Sequence, residues 1–177
     1  MSLSIGILTH STNPRGGVVH GMALAEALYE AGHDVSLIAP DDAGTGFFRV
    51  PRCPTRCIPV KSERDLPTLV ERRIGEIGDA LRGERFDVLH AHDPISANAL
   101  AILMAEGRIP GFARTIHHLD LFSDPGLAER QQRGLMAATE LFTLSAPRAN
   151  LLRLALGRAA STAGTLFVPR GLSPVLL

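Results

Sequence analysis

Charge excess, a second cysteine pair and long apolar runs are all missing from this chain, and each absence removes a class. Eighteen Lys and Arg residues balance eighteen Asp and Glu, so nothing advertises nucleic-acid or anionic-membrane binding as a bulk property. No apolar stretch approaches the roughly 20 residues that a membrane span needs. The N-terminus enters an apolar run at once, without a basic segment and cleavage site, and the protein is therefore expected in the cytoplasm. Cys53 and Cys57 stand as C-x3-C between prolines with no second pair; two plain thiols in a loop are expected rather than a metal or disulfide site. The G-x-x-x-x-G-K-[ST] loop is absent, which excludes a nucleotide hydrolase of that type. Gly16 and Gly17 do not make G-x-G-x-x-G, and the link from the first strand is too long for that turn, so a nicotinamide site is not expected.

What the 177 residues do have is 45% hydrophobic content, enough for one sizeable core. Leu3 to Thr9 is an apolar run of strand length. Gly16 and Gly17 follow where strand turns into helix; glycine lets backbone approach a ligand, and free amides at a helix start favour an anion. The helix carries Met22, Leu24, Ala25, Leu28 and Tyr29 at three- and four-residue spacing, stops at Gly32, and leads to a strand at Val35–Ala39. A turn-rich stretch, Asp41–Arg56, precedes a short strand at Cys57–Val60. Further expected elements are a helix over Ser62–Gly83, a strand at Asp87–Ala91, a helix over Ile95–Glu106, a strand at Phe112–His117, a helix over Gly126–Thr139 and an apolar run at Leu141–Leu144. Such alternation predicts an α/β fold: a Rossmann-like, doubly wound parallel sheet with helices on both faces.

In such sheets ligands sit beyond the carboxyl ends of the strands, and the polar residues of interest fall there. The first strand runs into Asn13–Gly17, the strand DVLHA ends at His90, His92 and Asp93, and the next ends at Thr115, His117, His118 and Asp120. Three histidine-bearing ends are expected to line one crevice. His33, in Gly-His-Asp, reads as a turn residue, whereas His20 is open between a core-edge and a functional role. On a strand His90 and His92 share a face, and with His117 or His118 and Asp120 they raise a metal-dependent hydrolase as the competing enzyme class. The usual hydrolase run needs an acid two positions after the second histidine, where this chain has Pro94, so no metal is expected.

Four segments in order, NPRGGVVHGMALAEALYEAGHDVSLIAP, FDVLHAHDPISANAL, ARTIHHLD and LFTLS, resemble the N-terminal domain of family 4 retaining glycosyltransferases, which have the GT-B fold. The resemblance covers about residues 1–145, the expected domain. It implies that a nucleotide sugar and an acceptor meet between two Rossmann-like domains, the acceptor being a sugar, a lipid-linked or a small molecule. By position, Gly16, Gly17 and Thr115 match the part near the donor diphosphate and sugar, and His117 matches the histidine of the T-x-H strand end, the implied catalytic residue. Asn13, Arg15, His20, His92, Asp93, His118 and Asp120 fall on the implied acceptor side. Ser145 matches the serine that opens the domain's last segment. The nucleotide sugar is a substrate, and no cofactor is implied. The acceptor pocket is expected to involve the loops Asn13–Arg15, Gly44–Arg49 and Leu119–Asp124.

The chain departs from that family over residues 146–177. VPRGL at Val168–Leu172 is similar to the family's V-P-N-G-V hinge with Arg170 for asparagine, and no candidate follows for the donor-binding base or the paired glutamates. Residues 1–140 carry a net charge of −4 and the remainder +4, with no acid after Glu140. Three explanations stay open: a last helix packing Leu151, Leu152, Leu154, Ala155 and Leu156; a basic amphipathic surface at the inner face of the membrane; or translation of a wrong reading frame. An exposed apolar tail implies self-association. The functional alternatives are thus an acceptor-side half that needs a C-terminal donor domain, supplied if need be by a separate chain, and a non-catalytic binding module or truncated remnant.

Overall fold

The computed structural model describes residues 1–145, with 147, 149, 150, 152, 154 and 163–165. The expected tail therefore lies largely outside the described residues. Seven strands form one parallel sheet: β1 (Ser4–Leu8), β2 (Asp34–Asp41), β3 (Thr55–Pro59), β4 (Val88–Ala91), β5 (Ala113–Ile116), β6 (Glu140–Thr143) and β7 (Ala163–Thr165), in the order β3-β2-β1-β4-β5-β6-β7. The expected doubly wound α/β fold is present. Chain direction across the sheet reverses at β1, which pairs with both β2 and β4, and the crevice of such a fold opens there.

Among the elements fully within the described residues, four helices cover the two faces: α1 (Gly16–Glu30), α2 (Leu66–Leu81), α3 (Pro94–Ala105) and α4 (Pro125–Ala137). Side chains alternate along each strand, which separates two cores. Ile5, Ile7, Val35 and Leu37 meet Met22 and Ala25 of α1. Leu8, Ile38, Leu89 and Ala91 face Ile74 and Ile77 of α2 and Leu100 and Leu103 of α3. By the same alternation Val88 lies against the α1 core, and His90 and His92 fall on that face.

Boundaries move from expectation where capping decides them. Asp65, Asp93 and Asp124 each accept a hydrogen bond from the amide three residues on, and a proline stands in each first turn, so α2, α3 and α4 start there. The second helix thus starts at Leu66 rather than Ser62, and the third includes Pro94. Strand β3 begins at Thr55, two residues before the expected start, pairing Ala39 with Cys57; Cys57 thus lies in the expected strand rather than in the loop with Cys53, and Cys53 is buried. At the far end of α1, Gly32 takes φ +91°, and His33 Nδ1 accepts from the Leu3 amide at 3.3 Å, a turn role as read from sequence.

The link from β2 to β3 is an irregular loop anchored from α1. Glu26, 2% exposed, takes Arg49 in a two-pronged pair at 2.6 and 2.8 Å and accepts the Arg52 amide at 2.9 Å. Arg49 first, helped by Arg52, holds this carboxyl down to about 2 against the cost of burial. Asp41 closes the other end by accepting the amides of Gly44 and Gly46.

Candidate active site

Helix α1 starts unlike the other three. Its N-cap is Arg15, with no side-chain cap hydrogen bond, so its first amides keep their donors for another acceptor. That start abuts the ends of β4 and β5. A Cβ on Gly17 would stand 3.2 Å from the His92 carbonyl oxygen and 3.4 Å from Cδ2 of His117, whereas one on Gly16 would meet nothing within 4 Å. Of the two glycines, Gly17 is the one required for close approach.

A cavity of about 410 Å³ opens at this edge. Arg15, Gly16 and Gly17 line it from the start of α1, His92 and Asp93 from the link between β4 and α3, and Thr115, His117, His118 and Asp120 from β5 and beyond. Nine of the eleven residues singled out in the sequence thus share one cavity. Asn13 lines a neighbouring one of about 290 Å³ with Arg15. His20 belongs to the histidine cluster behind the cavity wall.

That cluster is built by α1, β4 and β5 together. His92 Nδ1 stands 3.2 Å from His117 Nε2 and 3.5 Å from His20 Nδ1. His90 stacks on His92 with ring centroids 4.6 Å apart and bonds Thr115 Oγ1 through Nε2 at 2.8 Å. Burial disfavours the charged imidazole: it lowers His20, takes His90 down to about 4 with help from His20, and holds His92 well below the ordinary range. Burial thus favours the neutral form of all three rings.

Several predicted site residues also have local structural tasks. Both Asp93 carboxylate oxygens serve Ser96, taking its amide at 2.8 Å and its hydroxyl at 2.7 Å. Thr115 is buried, and its hydroxyl is engaged in the hydrogen bond with His90 Nε2. His118 lies 3.5 Å from Asp120 in a largely exposed pair, and Gln131 clamps the backbone of Asp120 through both its amide N and its carbonyl. The metal set considered from sequence is not the one assembled. His90 Nε2 is engaged by Thr115 and His118 pairs with Asp120, whereas His20, His92 and His117 bring their ring nitrogens within 4.8 Å of one another.

Two residues escaped the sequence reading. Arg114, 1% exposed, lines the cavity from within β5; burial lowers it to about 10, and its Nε finds no hydrogen-bond partner among the described residues. An arginine inside an otherwise apolar strand was the available signal. Gly21 is the other. One turn after Gly17, it leaves room for the His92 ring, since a Cβ there would meet Thr9 Cγ2 at 2.9 Å and His92 Cγ at 3.3 Å.

Comparison with known proteins places this edge in context. A family described as glycosyl transferase 4-like domain matches residues 15–171. No curated protein matches the chain. Among solved structures, the UDP-GlcNAc 2-epimerase of Methanocaldococcus jannaschii superposes with a TM-score of 0.63 at 19% identity, over 93% of this chain and 45% of that one. Sucrose-phosphate synthase of Thermosynechococcus elongatus gives 0.66 at 13% identity, over 91% and 47%. Anabaena HepE, solved with UDP and glucose, gives 0.62 at 15%, over 93% and 44%. At these identities the likeness is one of fold, the Rossmann-like half of a GT-B architecture, and the chain spans less than half the length of these proteins.

Proposed function

The chain belongs to the glycosyl transferase 4-like domain family, and from that premise we propose that it is the acceptor-side domain of a retaining glycosyltransferase that moves a sugar from a nucleotide-sugar donor to a sugar, lipid-linked or small-molecule acceptor. The observation that carries this reading is the uncapped start of α1 set against His117 at the rim of one cavity. In the proposed reaction the amides at Gly16 and Gly17 receive the donor diphosphate as its bond to the sugar breaks. His117 faces the transferred sugar as the catalytic residue, and His92, 3.2 Å behind it, acts as its positioning residue. Preorganised dipoles of this kind lower the barrier without reorganising during the reaction. Arg15 and Asp120, with Asn13 in the adjoining cavity, form the acceptor side. The transfer uses no resident metal or cofactor.

A C-terminal donor domain supplies the nucleotide contacts in this proposal, so transition-state binding is divided between two halves. The test is turnover of a panel of nucleotide sugars by the purified chain, with and without an added donor domain. Transfer is expected only with both halves and is lost on His117→Ala. Transfer by the 177-residue chain alone would overturn the division of labour. Neither transfer nor nucleotide-sugar binding with both halves present would overturn the transferase reading in favour of a binding module.

A further inference from the structure

The three clustered imidazoles meet in a way that hydrogen bonding alone does not satisfy. His92 Nδ1 is approached by His20 Nδ1 at 3.5 Å and by His117 Nε2 at 3.2 Å. A ring nitrogen carries either one hydrogen or one in-plane lone pair, so it serves one of these neighbours at a time. A cation accepts all three lone pairs together. Ligand nitrogens about 2.0–2.1 Å from a tetrahedral ion lie about 3.4 Å from one another, and the two measured separations bracket that value. One ring nitrogen from each of the three histidines lies within 4.8 Å of the other two.

We propose that His20 Nδ1, His92 Nδ1 and His117 Nε2 form a binding site for a divalent transition cation of the zinc class, with the fourth position open to water from the cavity. An all-imidazole set suits zinc, cobalt, nickel or copper and disfavours magnesium and calcium, which take oxygen. The rings come from three elements of a packed edge, so the site is largely assembled before the ion arrives. His90, stacked on His92 at 4.6 Å, fixes the plane of the central ligand, and Gly17 and Gly21 admit the rings beside α1. The cavity supplies the entry path, since His92 and His117 both line it. The site stands independently of the transferase reading. Its consequence for that reading is interference, because a bound ion would engage His117 Nε2 and so replace the His92 contact that positions the ring.

The test is titration of the metal-stripped full chain with Co²⁺, followed by visible absorption, and with Zn²⁺ by calorimetry, Mg²⁺ serving as the control. One equivalent of Co²⁺ with the strong visible bands of four-coordinate cobalt is expected, displaced by Zn²⁺ and untouched by Mg²⁺. His92 is buried and its removal can disturb folding, so the decisive variant is the half-buried His20→Ala. Losing a ligand should weaken binding roughly tenfold or more, as even outer partners of a site are worth that much. His118→Ala and Cys57→Ser should bind as the wild type does. Absence of stoichiometric Co²⁺ binding, wild-type affinity in a folded His20→Ala, or loss on Cys57→Ser would each overturn the assignment.

Discussion

The same substitution, glycine to alanine inside a helix, should have opposite signs at Gly21 of α1 and Gly75 of α2. Alanine is the better helix former by about 0.8–1.0 kcal/mol. At Gly75 an added Cβ meets nothing within 4 Å, so Gly75→Ala should stabilise the fold by about that amount, raising Tm by roughly 2–4 °C for a chain of this size. At Gly21 the Cβ would stand 2.9 Å from Thr9 Cγ2 and 3.3 Å from His92 Cγ, well inside an optimal carbon contact of about 3.5–4.0 Å. Neither neighbour yields easily. Thr9 is buried with its hydroxyl on the Ser11 carbonyl, and His92 is wedged among three other rings. Overpacking of this kind costs about 1–3 kcal/mol, which offsets the propensity gain and leaves Gly21→Ala net destabilising by about 1 kcal/mol. Urea unfolding of both variants at pH 7 measures the pair. A Gly21→Ala variant stabilised as much as Gly75→Ala would refute the close packing of α1 on the histidine cluster.

Two further predictions concern acid. Glu26 is held at about 2 against an ordinary 4.5, so its stabilisation is complete above pH 4.5 and is lost as pH falls toward 2. Each unit corresponds to about 1.4 kcal/mol. With Arg49 and Arg52 partly exposed, screening leaves about 1–2 kcal/mol; Glu26→Gln should lose that much at pH 5 and flatten the decline between pH 4.5 and 2, whereas parallel profiles would refute the anchoring role. His90 titrates in a different window. Its proton is accepted more readily by the unfolded chain, at 6.5, than by the fold, at about 4, so His90 by itself should remove about 2 kcal/mol of stability from pH 7 to pH 5, with buried His92 adding to the loss. Urea midpoints at the two pH values check this, and a loss undiminished in His90→Gln would assign it elsewhere.

The element order was legible because parallel strands covered on both faces read as short apolar runs, and because helix and strand periods differ. Helix starts were legible less sharply. Ser62 looked like an opening residue, but Asp65 with Pro67 forms the actual cap, and local capping outweighs the start of an apolar pattern. The strand-end histidines could be placed at one edge from topology alone. Their mutual geometry could not, since His20 reaches His92 across 72 residues and the sequence carries no signal of which ring nitrogens converge. The pairing of Glu26 with Arg49 likewise carries no local signal, since it forms only when the β2–β3 loop folds onto α1.

By itself the sequence determined a doubly wound α/β domain with glycines, histidines and acids gathered at the carboxyl edge of its sheet, because hydrophobic period and strand direction are local properties that add up to a topology. The tertiary structure decided which of those residues meet. It set Gly17 rather than Gly16 against the β4 and β5 ends, committed both Asp93 oxygens to Ser96, buried Arg114 in the cavity wall and joined His20, not His118, to His92 and His117. Those outcomes depend on distances of a few tenths of an ångström between segments far apart in the chain, which are fixed only when α1 and the helices of the opposite face pack onto the sheet.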